Sequence, residues 1–297
     1  MSNNQQQSAV AQKANFTDLY NQKDPRGYLT ILAPLQYTIP QQVLPLFQRL
    51  HPLSCQGTAA SAILDVCCSY GINGALLRHH VDMETWTAHY TDSKLDSKHQ
   101  VLADKEFFAS RERSTKPVVL GLDKADHAVH YALDVSLIDA GWVEDLEAND
   151  PSSGLREALQ GVSLIICTGG VSYLSSRTFA RIIAAVGRSS NLWVASTVIR
   201  TSSYEEIATE LRGHGLVTER LPGVVLRQRR FASAQEQSDA VAHVAWRGLD
   251  PTGFEEMGYV CADVFISRSD KDISRPPIAE LVAYLGGVKF TDADGVA

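Results

Sequence analysis

The 297-residue sequence is short of basic residues and has no long apolar run. Lys and Arg together number 27 against 34 Asp and Glu, so the formal net charge is −7 and no basic stripe is present to grip a phosphate backbone. Nucleic acid is therefore not expected as a partner. No apolar run approaches the length that crosses a bilayer, and residues 1–16 lack the basic-then-apolar pattern of a secretory signal. The sequence predicts a soluble cytoplasmic protein with no membrane partner.

Cysteine is scarce as well. The five cysteines are odd in number and scattered through apolar surroundings, and no pair has the spacing of a zinc site. A disulfide framework is excluded, and no bound metal is expected. Hydrophobic residues make up 44% and charged residues 21%, which excludes a disordered or fibrous chain. A small-molecule substrate is the expected partner, and the sequence leaves the oligomeric state open.

Three regions of the chain differ in composition. Residues 1–14 are polar and Gln-rich, which predicts a mobile tail. Residues 15–56 carry tyrosines and prolines and predict a helical N-terminal cap, with a helix beginning near Thr38 and Pro40. Whether this cap only covers its neighbour or closes as a lid over a ligand stays open. Residues 57–297 form the third region, which contains the main domain.

From residue 57 onward, strands alternate with helices. Apolar runs at 61–66, 117–123, 141–146, 162–170 and 191–199 predict strands, and the amphipathic stretches between them predict helices. Two further strands, at 216–231 and 259–269, lie around a polar segment at about 233–258 in which little helix is expected. Alternation favours a parallel sheet covered on both faces. The prediction is an α/β, Rossmann-like fold with a mostly parallel seven-stranded sheet and an antiparallel strand added at the end.

In such sheets ligands bind beyond the carboxyl ends of the strands. After the first predicted strand the sequence reads LDVCCSYGING, from 64 to 74. Gly71 permits close backbone approach. Cys67 and Ser69, however, stand where the G-x-G-x-x-G pattern of dinucleotide-binding proteins has glycines. Less room is left for a pyrophosphate, which weakens a hydride-transfer hypothesis.

Carboxylates end the next two predicted strands. Asp123, followed by Lys124, can accept two hydrogen bonds from ribose hydroxyls. Asp145 can accept from an exocyclic amine, while the backbone amide of Leu146 meets a ring nitrogen. A small-residue loop at 168–173 follows the fourth strand and is expected over the centre of the pocket. A plainer interpretation stays open for both acids, with Asp123 as a helix cap and Asp145 as a solvated turn residue.

Together these strand ends resemble the class I S-adenosylmethionine (SAM) methyltransferase family over roughly 57–270. The resemblance implies a Rossmann-like class I methyltransferase fold and SAM as the cofactor, with no metal. The residues that it implies as SAM contacts in this domain are Asp65, Cys67, Tyr70, Gly71, Asp123, Lys124, Asp145, Leu146, Thr168 and Gly169. The chain departs from the family at Cys67 and Ser69, and its fourth-strand loop has no Asp, Glu or His to deprotonate an acceptor.

The run LDVCCSYGINGALLRH, with the tyrosine-bearing cap before it, resembles a narrower group, the methyltransferase-like azetidine-2-carboxylate synthases or SAM cyclases. This resemblance implies that the α-amine of SAM attacks its own γ-carbon, closing a four-membered ring and releasing methylthioadenosine. For that reaction Tyr173, Asn149 and Ser203 are the candidate amine acceptors.

The cap supplies three further candidates for SAM binding. The rings of Tyr28 and Tyr37 would face the sulfonium, and Arg26 would pair with the amino-acid carboxylate. Cyclisation of SAM to azetidine-2-carboxylate is thus the main functional prediction. The alternatives are a conventional SAM-dependent small-molecule methyltransferase and a catalytically inactive SAM-fold binding protein.

Overall fold

The computed structural model describes residues 21–187 and 191–285, and a seven-stranded sheet forms its centre. The strands are β1 (Ala62–Val66), β2 (Val118–Asp123), β3 (Ala140–Val143), β4 (Val162–Thr168), β5 (Trp193–Ile199), β6 (Leu216–Arg230) and β7 (Tyr259–Ser269). Their order across the sheet is β3-β2-β1-β4-β5-β7-β6. Strands β1 to β5 are parallel, and β7 is antiparallel to both β5 and β6. The predicted Rossmann-like, mostly parallel sheet of seven strands is confirmed.

Helices cover both faces of the sheet, as the unbroken apolar strands require. The helices are α1 (Arg26–Leu32), α2 (Ile39–Ser54), α3 (Ile72–Arg78), α4 (Met83–His89), α5 (Ser97–Ala109), α6 (Asp126–Asp134), α7 (Ser153–Leu159), α8 (Ser176–Val186), α9 (Glu205–Gly213), α10 (Ala234–Trp246) and α11 (Ile278–Leu281). Every residue of β1 and β5 is buried, which is typical of strands packed on both faces. Successive residues alternate between two cores, because Ile63 packs with α2 to α6 while Leu64 packs with α7 to α9.

The N-terminal helices are part of the packed structure. Helix α2 begins at Ile39 with Pro40 in its first turn, in agreement with the predicted helix start. Its buried face includes Val43, Phe47 and Leu50, which belong to the same core as β1 and β4. Helix α2 is thus a layer of the core as well as a cover for one side of it. The tail at 1–14 and the first six residues of the predicted cap lie outside the described residues.

Two sequence expectations are corrected by the structure. The polar segment after β6 contains α10, a helix of 13 residues, so the expectation of little helix there is wrong. Its start has the S-x-x-E sequence of a capping box: Ser233 accepts from the backbone amide of Glu236, while Glu236 accepts from the amide of Ala232, one residue before the N-cap. The third strand ends at Val143 rather than at 146, because the chain turns from Asp145, whose carbonyl accepts from the amides of Ala148 and Asn149.

Candidate functional site

A cavity of about 490 Å³ opens at the carboxyl ends of the parallel strands. Its walls are the loops that follow β1, β2, β3 and β4, together with residues from α1, from the turn after it and from β6. This is the edge of a doubly wound sheet where ligands bind. The volume lies in the range of small-molecule sites, about 300–1,000 Å³. The cavity is therefore the candidate functional site.

Most of the residues singled out from the sequence meet in this cavity. Those that line it are Tyr28, Tyr37, Cys67, Asp123, Lys124, Asp145, Leu146, Thr168, Gly169 and Tyr173. They come from four separate strand ends and from the N-terminal helical region, so only the folded chain brings them together. Tyr173, one of the three candidate amine acceptors, is half exposed at the cavity wall, in a short 3₁₀ turn at Val171–Tyr173.

The loop between β1 and α3 has a left-handed backbone at three positions, and only one of them is a glycine. Cys67, Ser69 and Gly71 have φ angles of 60°, 50° and 73°, all in the left-handed region. For the two non-glycine residues this conformation costs about 1–2 kcal/mol each. Gly71 itself does not line the cavity; a Cβ there would lie 2.9 Å from the Cβ of Ala132, so its role is close packing. The departure from glycine places a thiol and a hydroxyl on the cavity wall without changing the turn.

Asp123 is held in place by backbone amides at the end of β2. One carboxylate oxygen accepts from the amide of Ser69 at 2.9 Å and the other from the amide of Ala125 at 3.0 Å. Burial raises its pKa above the ordinary value. Each oxygen keeps lone-pair capacity for a ligand, so the capping role and the ribose-binding role are compatible. Asp145 lies more exposed at the rim, where it accepts from the amide of Glu147 at 2.9 Å.

Three predicted site residues lie elsewhere. Arg26 is paired with Asp24 at 2.8 Å and donates to the carbonyl of Leu95, so its guanidinium is already engaged. Asn149 is exposed in the turn after β3, outside the cavity lining. Ser203 lies in a separate surface depression, where its hydroxyl accepts from the amide of Glu205 at the start of α9. The structure does not bring these three side chains to the cavity.

The tyrosines form a chain that runs inward from the cavity. Tyr28 and Tyr37 line it with ring centroids 6.1 Å apart, and Tyr70 packs behind Tyr28 at 5.8 Å. Tyr70 is fully buried, and its hydroxyl accepts from the amide of Gln22, so it supports the wall and does not form it. Burial raises the pKa of Tyr37 to about 12, which keeps its phenol protonated at neutral pH.

Asp65, in β1, has no solvent-accessible surface. Its Oδ1 accepts from Asn73 Nδ2 at 2.9 Å, whereas its Oδ2 has no hydrogen-bond partner in the described part of the chain. Burial raises its pKa to about 7. Asn73 lines the cavity and also donates to Thr168 Oγ1 at 3.3 Å, which ties the β1 and β4 loops together. Asp65 therefore stands directly behind the lining residue Asn73.

Asn73 and Gln228 are two buried amides of the cavity wall that sequence reasoning missed, and Glu147 and Thr178 are further lining residues that it missed. Asn73 lies two residues after Gly71, in the first turn of α3. A side-chain amide so close to that glycine was the signal that could have marked it as a site residue. Gln228 lies on β6 and is 4% exposed, and its Oε1 has no hydrogen-bond partner among the described residues. The register of β6 against β7 shifts between Arg227 and Arg229. This irregularity interrupts the usual alternation of strand faces, so no pattern in the sequence marks Gln228.

The cavity carries negative charge. Of the described residues that line it, Lys124 is the basic one and four are acidic: Asp123, Glu144, Asp145 and Glu147. Glu147 is fixed by hydrogen bonds from the hydroxyls of Ser175 and Thr178, which help to lower its pKa. A cationic or neutral ligand suits such a wall better than a phosphate does.

Comparisons with known proteins relate the chain to others by structure. No protein-family model and no curated protein matches the sequence. Among solved structures, the chain is similar to a TehB-like SAM-dependent methyltransferase from Corynebacterium glutamicum, with 16% identity and a TM-score of 0.37 over 75% of this chain and 86% of the other. It is similar to the magnesium protoporphyrin IX methyltransferase of Synechocystis with bound SAM, with 10% identity and a TM-score of 0.37 over 78% and 81%.

A third solved structure, the plantazolicin methyltransferase BpumL in complex with SAH, is 11% identical with a TM-score of 0.37 over 88% of this chain and 94% of the other. At these identities the likeness is one of fold alone.

Two further observations bear on the kinds of ligand. Within 21–187 and 191–285, no group of three or more His, Cys, Asp or Glu side chains is arranged to hold a metal ion. None of the helices in those ranges has the length and apolar character to cross a bilayer.

Proposed function

We propose that this chain binds SAM and catalyses the attack of a nucleophile on a carbon bonded to the sulfonium, with methyl transfer to a small-molecule acceptor as the first candidate reaction. The observation that carries the proposal is the set of side chains that successive strand ends place around one cavity. A ribose-type acid, Asp123, follows β2, and an adenine-type pair, Asp145 and Leu146, follows β3. Tyr28 and Tyr37 complete the wall with aromatic rings.

The charge of the cavity favours SAM over a dinucleotide. SAM carries a sulfonium and no phosphate, whereas a dinucleotide would bring a pyrophosphate toward four carboxylates and a single lysine. The side chains of Cys67 and Ser69 also occupy a loop that dinucleotide-binding proteins keep free with glycines. Both features disfavour hydride transfer.

The residues of the cavity are suited to alignment. When bound, the sulfonium supplies an electrophilic carbon, and little further chemistry is required of the protein. Tyrosine faces stabilise a cation, and an enclosed site excludes water that would compete with the nucleophile. Asp123, fixed by two backbone amides, would hold the ribose and so set the position of the reacting end.

Cyclisation of SAM to azetidine-2-carboxylate is the second candidate, and Asp65 is the observation that favours it. An α-amine attacks only when it is neutral, so cyclisation requires a group that takes up its proton near neutral pH. Asp65, behind the cavity wall, has a pKa raised to about 7, and its Oδ2 has no partner within 21–187 and 191–285. Conventional methyl transfer does not require this group when the acceptor is already neutral.

The products formed from SAM decide between the candidates. Purified protein incubated with SAM alone should release methylthioadenosine and azetidine-2-carboxylate if it is a cyclase. A methyltransferase should instead form S-adenosylhomocysteine only when an acceptor is added. Mass spectrometry separates these products. If calorimetry detects no SAM binding at millimolar ligand, the proposal fails and the inactive binding-protein hypothesis gains support.

The contact with Asp123 can be tested independently of the reaction. Asp123→Ala should weaken SAM binding by about 10-fold or more, the effect of losing a hydrogen bond to a charged group. Asp134→Ala, an exposed aspartate at the end of α6, is the matched control and should leave the affinity unchanged. An Asp123→Ala protein that is folded and binds SAM as wild type does would remove Asp123 from the site.

A further inference from the structure

Gln228 is a buried amide that the fold itself leaves incompletely bonded. It lies on β6, is 4% exposed and lines the cavity. Its Oε1 accepts no hydrogen bond from any described residue. Native proteins pair nearly all buried polar atoms, so an unpaired acceptor at a cavity wall points to a ligand that supplies the donor.

The position of Gln228 is fixed by its neighbours. Its carbonyl accepts from the amide of Thr38, and the preceding carbonyl, of Arg227, accepts from the side chain of Gln42. These bonds tie β6 to the start of α2. The side chain of Gln228 therefore reaches the cavity from a strand whose backbone is held on one side by a core helix.

The Gln228 amide lies over the loop that follows β4. A Cβ built at Gly169 would come within 3.3 Å of Gln228 Nε2, so any larger residue at 169 would press on the amide. The Gly169 amide donates to Thr197 Oγ1 at 3.0 Å, which fixes this loop on β5. The Thr168 hydroxyl on the same loop is bonded to Asn73, the partner of Asp65. Gln228 and Asn73, the partner of Asp65, thus both lie against the same loop.

We propose that Gln228 orients the nucleophile: its Oε1 accepts a hydrogen bond from the N–H or O–H group that attacks the sulfonium-bonded carbon. This inference rests on the proposed function and names the substrate class, an amine or a hydroxyl compound. A neutral amide oxygen takes the hydrogen of the nucleophile without removing it, so the lone pair on nitrogen or oxygen stays free to face the carbon.

The step balances without any further reactant. The lone pair of the nucleophile forms the new bond to carbon, and the carbon–sulfur bond breaks with its electron pair going to sulfur. Sulfur becomes a neutral thioether, and the nucleophile loses its proton to water. In methyl transfer the nucleophile belongs to a second molecule, whereas in cyclisation it is the α-amine of SAM. Gln228 has the same role in both.

The test compares Gln228→Leu with Gln228→Glu, using SAM alone and SAM with tyramine, which carries both an amine and a phenol. Gln228→Leu should lower the rate of product formation by about 10- to 100-fold while the dissociation constant for SAM changes by less than about 3-fold. Gln228→Glu keeps an acceptor oxygen at the same place and should recover most of the rate. Gln235→Leu, the same change at an exposed position of α10, is the control.

A thermal melt separates this role from a structural one. Because no described residue bonds to Oε1, Gln228→Leu should melt at the wild-type temperature or above it. The inference is overturned if Gln228→Leu forms product at the wild-type rate, if its SAM affinity falls as much as its rate, or if Gln228→Glu is as slow as Gln228→Leu. Wild-type protein that binds no SAM, or that forms no product under either condition, overturns the proposed function together with this inference.

Discussion

Two aspartates of this fold, Asp104 and Asp65, have no solvent-accessible surface, and they are bonded in opposite ways. Asp104, on α5, accepts four side-chain hydrogen bonds of 2.7–2.9 Å. Their donors are His89, Tyr90, Gln100 and Tyr131. Every oxygen of this carboxylate has two partners, so it serves to join α4, α5 and α6. Such a centre is structural.

Within the described part of the chain, Asp65, near the end of β1, accepts one side-chain hydrogen bond, from Asn73, and its second oxygen accepts none. An unpaired buried carboxylate oxygen destabilises the fold. Asp104 therefore stabilises this fold, whereas Asp65 destabilises it. The incompletely bonded aspartate lies directly behind Asn73, a residue of the candidate site.

The largest loss of stability is expected at Asp104, the fully hydrogen-bonded aspartate. Asp104→Asn replaces two acceptor oxygens with one oxygen and one NH₂ group, which would face other donors. The free energy of unfolding in urea should fall by about 3 kcal/mol or more, the cost of breaking a buried charged network. Asp134→Asn, on the exposed end of α6, should change it by less than about 0.5 kcal/mol. A loss below about 1 kcal/mol for Asp104→Asn would show that the four hydrogen bonds contribute little to stability.

A gain in stability is expected at Asp65, the incompletely hydrogen-bonded aspartate. Burial, with a smaller contribution from the charge of Asp123, raises the pKa of Asp65 from 3.8 to about 7. The folded protein then binds more protons than the unfolded chain between these values, so stability falls as the pH rises from about 4 through about 7. Asp65→Asn removes this titration. At pH 8 the free energy of unfolding of this variant should exceed that of wild type by a few kcal/mol, because each unit of pKa difference corresponds to about 1.4 kcal/mol.

Urea unfolding at pH 5 and at pH 8 measures this effect, and the difference between variant and wild type isolates Asp65 from the other titrating groups. The gain in stability should be larger at pH 8 than at pH 5. Equal gains at both pH values would mean that Asp65 titrates near its ordinary range. The stabilised variant should also lose cyclisation activity if Asp65 takes up the proton of the α-amine.

Much of this arrangement was predictable, because it depends on patterns that local sequence carries. Alternating strands and helices fixed the sheet, and the carboxylates at the ends of β2 and β3 marked two walls of the cavity. Parallel strands end at one edge, so any residue directly after such a strand is a candidate for the site. Asp123 and Asp145 were found in this way.

What escaped prediction depends on long-range packing. Gln228 enters the cavity from β6 at an irregularity that follows from pairing with β7, and nothing near it in the sequence marks that register shift. Arg26 was expected at the ligand, but Asp24 lies within reach of it and forms the nearer ion pair. Ser203 and Asn149 follow strand ends too, yet Ser203 lies in a separate depression, and Asn149 is exposed on a loop of which only other residues line the cavity. A position shortly after a strand does not by itself show whether a side chain lines the cavity.

The smallest effect is expected at Ser69, a third unpaired polar group at the cavity. Its φ is 50° and its hydroxyl has no partner in the described chain. Ser69→Gly removes both the left-handed strain and the unpaired hydroxyl, against an entropy cost of about 0.5–1 kcal/mol, so stability should rise by roughly 0.5–1 kcal/mol. Ser110→Gly, at φ −70° with a bonded hydroxyl, should lower it. If urea unfolding shows both variants losing stability alike, the left-handed backbone at Ser69 is not a strained one.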